Sequence, residues 1–117
     1  MSYMTRQRFA FECFGCPEIL LKDYSLPVAL IKELSEITGM KLLTEIRVVE
    51  VEDGISADVI WEASSINIHT WVSSKLATID IYSCKVLEVE KIKEAILSMY
   101  CPTSAVLFHM NQPEQIK

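Results

Sequence analysis

No run of apolar residues in this chain reaches the ~18 that a membrane-spanning helix needs, so no membrane association is expected. No cluster of Lys or Arg forms a basic stripe. The 11 basic residues are outweighed by 16 acidic ones, the net charge is -5 and the pI is near 5.0, which argues against nucleic acid as a partner. The segment Met1-Ser2-Tyr3-Met4-Thr5-Arg6 lacks the apolar stretch of a signal peptide. The expectation is therefore a cytoplasmic protein whose Cys13, Cys16, Cys84 and Cys101 are reduced thiols rather than a disulfide framework. Cys13-x-x-Cys16 has the spacing of half a zinc site or of a redox pair, but no second pair accompanies it. His69 and His109 stand at no ligand spacing from it, so no metal is expected.

What is present fits one domain over residues 1–117. Half of the residues are hydrophobic and 23% are charged, a globular rather than a disordered composition. Arg8 to Phe14 reads as a first strand ended by Gly15 and Pro17. Residues 17–26 read as a loop or irregular turn. Pro27 suits a first helical turn, with Ser25 as a cap ahead of it. Val28, Ile31, Leu34 and Ile37 give that helix one apolar face, and Gly39 ends it. Leu42 to Val51 reads as a long strand, Asp53-Gly54 as a hairpin turn and Ile55 to Trp61 as the next strand. Ile66 to Trp71 and Leu76 to Tyr82 alternate as strands. Glu88 to Tyr100 is a second helix stopped by Pro102, and Ser104 to Met110 a last strand. The order β-α-β-β-β-β-α-β has too few helices between strands for a parallel sheet. It predicts an α+β two-layer sandwich, an antiparallel sheet with two helices on one face. The other face is partly apolar and could be covered by a second copy.

Three segments stand out together. They are Gly54-Ile55-Ser56-Ala57, Ser64-Ser65-Ile66-Asn67-Ile68-His69-Thr70-Trp71 and Ala77-Thr78-Ile79-Asp80-Ile81-Tyr82-Ser83-Cys84. In this succession the chain resembles the small S-adenosylmethionine decarboxylase proenzymes of bacteria and archaea. That family has a Gly-x-Ser/Thr strand, then a Glu-Ser-His-x-x-Ile-His-Thr-Trp-Pro-Glu strand, then a strand ending in an aromatic, a small hydroxyl residue and Cys. Glu12-Cys13-Phe14-Gly15-Cys16 is similar to the end of its first strand. The likeness runs over about residues 8–110 and is specific over 54–84.

The resemblance implies a pyruvoyl enzyme that makes its cofactor from an internal serine. Ser64 would attack the carbonyl before it and convert the amide to an ester. β-Elimination would then cut the chain between 63 and 64, leaving a dehydroalanine that hydrolyses to the pyruvoyl group. That ketone forms a Schiff base with the substrate amine and takes up the electrons left when carbon dioxide departs. By the same resemblance His69 is the base for the elimination, Ser56 steadies the acyl-shift intermediate and Cys84 protonates the substrate carbon. Glu12 and Glu62 are the candidate substrate-holding residues. The implied pathway role is spermidine-type polyamine biosynthesis, and the implied assembly is a homodimer with sites near the subunit contact.

The chain departs from the family at three places. Ala63 stands where the family has glutamate, Ser65 where it has histidine, and Val72-Ser73 where it has Pro-Glu. The family glutamates are associated with holding the substrate, including its ribose hydroxyls. Two further readings stay open: a decarboxylase of another amine such as arginine, and an unprocessed, non-catalytic paralogue acting as an interaction or regulatory subunit. From the residues alone, Ser64 and Ser65 are turn residues, His69 a half-buried sheet residue and Cys84 an inert thiol.

Overall fold

The computed structural model describes residues 6–110 and 114–117; the segments 1–5 and 111–113 lie outside the described residues. Its elements are β1 (Gln7–Phe14), α1 (Glu18–Leu21), α2 (Ser25–Thr38), β2 (Arg47–Val51), β3 (Gly54–Trp61), β4 (Ser64–Trp71), β5 (Leu76–Ser83), α3 (Val89–Tyr100) and β6 (Ser104–His109). The strands form one six-stranded sheet in the order β2-β3-β4-β5-β1-β6, and every neighbouring pair is antiparallel. This is the two-layer α+β sandwich that the order of elements predicts.

Alternation decides the two sides of the sheet. Phe9, Phe11 and Cys13 of β1, Ala57, Val59 and Trp61 of β3, Ile66 and Ile68 of β4, and Ala77, Ile79 and Ile81 of β5 are buried. They meet Leu30, Ile31 and Leu34 of α2 and Ile92, Ala95 and Ile96 of α3 in one core. Two polar contacts fix the helix layer on this side. Trp61 Nε1 donates to Ser35 Oγ of α2 at 2.7 Å, and Thr70 Oγ1 donates to the Leu21 carbonyl of α1 at 2.9 Å. A buried aromatic with its N–H satisfied contributes both area and orientation.

Several local readings need correction. Residues 18–21 are helical rather than loop, seeded by Pro17, whose carbonyl accepts from the Leu20 and Leu21 amides. Ser25 is the first residue of α2 and does not cap it. Asp23 does that work, its Oδ1 accepting from the Ser25 amide at 2.8 Å and the Ser25 hydroxyl at 2.6 Å. The long strand expected from Leu42 begins only at Arg47. Leu42 keeps an isolated bridge to Trp61, and Thr44 Oγ1 then accepts the Ile60 amide, so a side chain replaces the backbone ladder there. Ser64 and Ser65 belong to β4, not to the turn, which is formed by Glu62 and Ala63 between the paired Trp61 and Ser64. Gly39 does end α2, in the left-handed conformation at φ 71°.

Candidate active site

Strand register builds the site. Ser56 of β3 lies directly opposite His69 of β4, and His69 opposite Thr78 of β5. Thr78 in turn faces Glu12 of β1. Ser56, His69, Thr78 and Glu12 thus form one row across the helix-free face. Within it the Ser56 Oγ and His69 Nδ1 are 2.8 Å apart. That contact engages Nδ1 and leaves Nε2 to face whatever approaches the sheet. A shallow cavity of about 230 Å³ opens here, lined by Arg47, Val49, Ser56, Ala57, Asp58, Asn67 and His69. Arg47 grips Asp58 in a two-point ion pair, Nε to Oδ1 at 2.8 Å and Nη2 to Oδ2 at 2.6 Å. These bonds hold the Asp58 carboxyl below the usual carboxylate range.

Ser64 lies at the other end of the same strand and on the other side. It is paired with Ser83 of β5 and with Trp61 of β3. The residue is only 6% exposed, and its Oγ has no hydrogen-bond partner. Ser83, its neighbour across the ladder, is occupied in a local turn with Lys85. Burying a hydroxyl unpaired costs about 1–3 kcal/mol, so this atom asks for an explanation. The residue before it, Ala63, holds a left-handed φ of 55°. An L-residue there carries roughly 1–2 kcal/mol of strain. Cys84 follows Ser83, and its Sγ lies 3.4 Å from the Tyr82 hydroxyl. Tyr82 faces the helix-free side, with the Arg8 guanidinium 4.8 Å above its ring.

The expected residues therefore fall into two groups. Ser64 and Cys84 share one end of the sheet. Ser56, His69 and Glu12 share a row farther along. Five residues of extended strand separate Ser64 from His69, roughly 16 Å at 3.3 Å per residue, and the two side chains point to opposite sides. The three residues expected to converge, Ser64, His69 and Cys84, do not do so within one chain. Glu62 stands exposed in the turn, 4.0 Å from Lys85 Nζ, and belongs to the Ser64 end.

Residues to which the sequence assigned no role also contribute. Tyr82 touches Cys84, and Arg47, Asp58 and Asn67 surround His69. At the far end, Asp53 accepts from the Ser73 hydroxyl at 2.5 Å and the Ser73 amide at 3.1 Å. A carboxylate thus stands beside position 73, where the family's own glutamate is missing. Register would have revealed Tyr82 and Asp58; nothing in the linear pattern ties Asp53 to Ser73. The Cys13 and Cys16 thiols lie in the core, away from both groups. Burial pushes Cys13 up to about 12. Among the described residues no group of three or more His, Cys, Asp or Glu is placed to hold a metal ion, and no helix is long and apolar enough to cross a membrane.

An antiparallel sheet backed by helices on one side, with a buried orphan serine at a hairpin and a Ser–His pair on the exposed side, defines a class of small α+β proteins. The sequence model of S-adenosylmethionine decarboxylase matches residues 7–112; the chain belongs to that family. It is 38% identical over 71 residues to the S-adenosylmethionine decarboxylase proenzyme of Saccharolobus islandicus, an alignment covering 61% of this chain and 57% of the relative. The proenzyme of Sulfurisphaera tokodaii is 35% identical over 71 residues, with 61% and 57% covered. The matched segment thus spans little more than half the length of these curated relatives. In fold, the chain matches the adenosylmethionine decarboxylase of Aquifex aeolicus with a TM-score of 0.79, over 99% of this chain and 100% of that one, at 14% identity.

Proposed function

We propose that this protein is a self-processing, pyruvoyl-dependent decarboxylase that acts on S-adenosylmethionine, with Ser64 as the precursor of its cofactor. One observation carries the reading. Ser64 presents a buried, unpartnered hydroxyl immediately after a strained, left-handed Ala63. The orphan hydroxyl fits the precursor of a pyruvoyl group. In the processing step the Ser64 Oγ bonds to the Ala63 carbonyl carbon, the C–N bond breaks, and the hydroxyl proton passes to the amide nitrogen. Removal of the Ser64 α-proton then expels the Ala63 carboxylate and cuts the chain.

His69 is the base for that removal, with Ser56 fixing its ring. Because the two groups lie far apart in one chain, the base comes from a second copy. The helix-free face bears Phe14, Val49, Ile60, Trp71, Val106 and Phe108, all exposed. An apolar patch of this kind is what a homodimer covers. Where the two-fold axis runs across the strands, stacking these faces reverses one copy's strands over the other's, so the Ala63–Ser64 backbone and Cys84 at one end can meet the partner's Ser56–His69 row, which takes the Ser64 α-proton.

The pyruvoyl group would supply the electron sink for loss of carbon dioxide. Cys84 Sγ, beside the Tyr82 hydroxyl, holds the proton delivered to the product carbon. Trp71 is 38% exposed next to His69, their rings 6.0 Å apart, and offers a flat apolar surface. Asp53, held by Ser73, offers a carboxylate beyond it. Aromatic face and carboxylate together suit a substrate that is cationic and carries hydroxyls, as S-adenosylmethionine does. Spermidine-type polyamine synthesis is the corresponding pathway. Ala63, Ser65 and Ser73 support a second reading, an unprocessed and non-catalytic relative on the same fold.

Intact-mass spectrometry under denaturing conditions separates the two. Fragments meeting at Ala63/Ser64, the second beginning with pyruvoyl, support the enzyme. A single full-length mass after long incubation overturns it.

A further inference from the structure

We propose that β6 is a pairing edge for a second copy of this chain, joined strand to strand in antiparallel register about Leu107. This contact is separate from the stacking of helix-free faces. β6 is the last strand of the sheet, and all six of its residues, Ser104 to His109, are exposed. Its inner side is taken by β1, but nothing among the described residues pairs with its outer side.

Natural edge strands are usually protected by charge, proline, a bulge or shortness. The sequence Ser-Ala-Val-Leu-Phe-His has no Lys, Arg, Asp, Glu or Pro. The opposite edge differs: β2 carries Arg47 and Glu50. One edge is thus guarded by charge, and the other is apolar and uncharged.

The partner follows from self-complementarity. Met110 donates its amide to the Arg8 carbonyl at 3.1 Å. Antiparallel alternation then turns the amides and carbonyls of Ala105, Leu107 and His109 outward. A two-fold axis at Leu107 sets these groups against themselves. Leu107 meets its own mate, and Ala105 meets the partner's His109. On the helix-free side Val106 meets the partner's Phe108, an apolar pair formed twice. No like charges oppose one another anywhere along the ladder. A strand paired with its own reverse makes an isologous contact, the same patch used on both subunits.

The test is sedimentation velocity on the full chain, unchanged and as Leu107→Lys. Leu107 lies away from the helix-free face, so this change leaves face-to-face stacking intact. The expected result is that the variant sediments at half the mass of the parent, with an unchanged circular dichroism spectrum. Equal masses for the two proteins, or a monomeric parent, would overturn the proposal. A second variant fixes the register. Paired Cα atoms here would be about 5.5 Å apart, within disulfide reach. Leu107→Cys, oxidised with copper–phenanthroline and digested, should give a symmetric peptide dimer joined at that position. Absence of that dimer while the parent is still an oligomer assigns the contact elsewhere and overturns the proposal.

Discussion

The hydroxyl of Ser56 meets Nδ1 of His69 at 2.8 Å because β3 and β4 place the two residues directly opposite each other. Neither group can reach the Ser64 of its own chain. Processing should therefore depend on both copies of a dimer. Ser64→Ala and His69→Ala, each alone, should remain uncut. Co-refolded together, the first supplies the base and the second the serine, and His69→Ala chains should then be cut. Denaturing electrophoresis over time reads this directly. Loss of a positioned base should slow cutting by roughly 10²–10⁴-fold. If the mixture stays as intact as the single variants, the base acts within one chain.

Ser64→Ala should make the folded protein more stable, not less. The change removes a buried hydroxyl that has no partner and leaves the strand backbone as it is. Relief of that desolvation is worth about 1 kcal/mol. Urea unfolding of Ser64→Ala and of uncut parent should show a higher midpoint for the variant with the same slope.

Gly54→Ala should be among the costliest small changes in the chain. An added Cβ would lie 1.9 Å from the Thr70 carbonyl oxygen and 2.8 Å from the Thr70 hydroxyl. Both belong to a neighbouring strand, and Thr70 also tethers α1 through Leu21. Forced overpacking of this sort costs typically about 1–3 kcal/mol. Thermal unfolding should show a marked fall, while Gly39→Ala, with nothing near its Cβ site, meets only its own backbone strain.

The Arg47–Asp58 pair gives a sign for acid sensitivity. Hydrogen bonds from Arg47 lower the Asp58 carboxyl below its unfolded value. A lowered carboxyl contributes stability that is present above the unfolded pKa of about 3.9 and fades as pH falls through the folded value. Asp58→Asn should lose stability near neutral pH relative to the parent, and the gap should close toward pH 3. The pair is partly exposed, so the gap should also shrink in high salt. A gap that widens on acidification would contradict the assignment.

Thiol labelling should follow burial. Cys13 and Cys16 are fully covered, and burial raises both. Cys101 is exposed at the end of α3. With an alkylating reagent at pH 8, Cys101 should be modified first. Cys13 and Cys16 should react only on unfolding.

Most of the architecture was legible in the sequence because each strand from Ile55 to Tyr82 alternates cleanly and each helix carries one apolar face. The errors fell where side chains replace backbone partners. Asp23 caps α2 in place of Ser25, and Thr44 interrupts the strand that Leu42 begins. Both depend on a single hydroxyl or carboxylate finding its mate, which periodicity does not report. The motif over 54–84 named the candidate site residues, but it did not report their arrangement. The odd spacing between Ser64 and His69 already sends them to opposite sides of a strand. The same logic hid Asp53, whose contact with Ser73 joins two turns far apart in sequence.

The order β2-β3-β4-β5-β1-β6 has a mechanical meaning for a chain cut at the β3–β4 hairpin. The first piece keeps β1, and β1 is threaded between β5 and β6 of the second. The second piece in turn holds β4 against β3. The halves are interlaced like fingers, and parting them means breaking three ladders at once. Backbone scission at Ala63 would thus leave a nicked particle that survives gel filtration intact and separates only in denaturant.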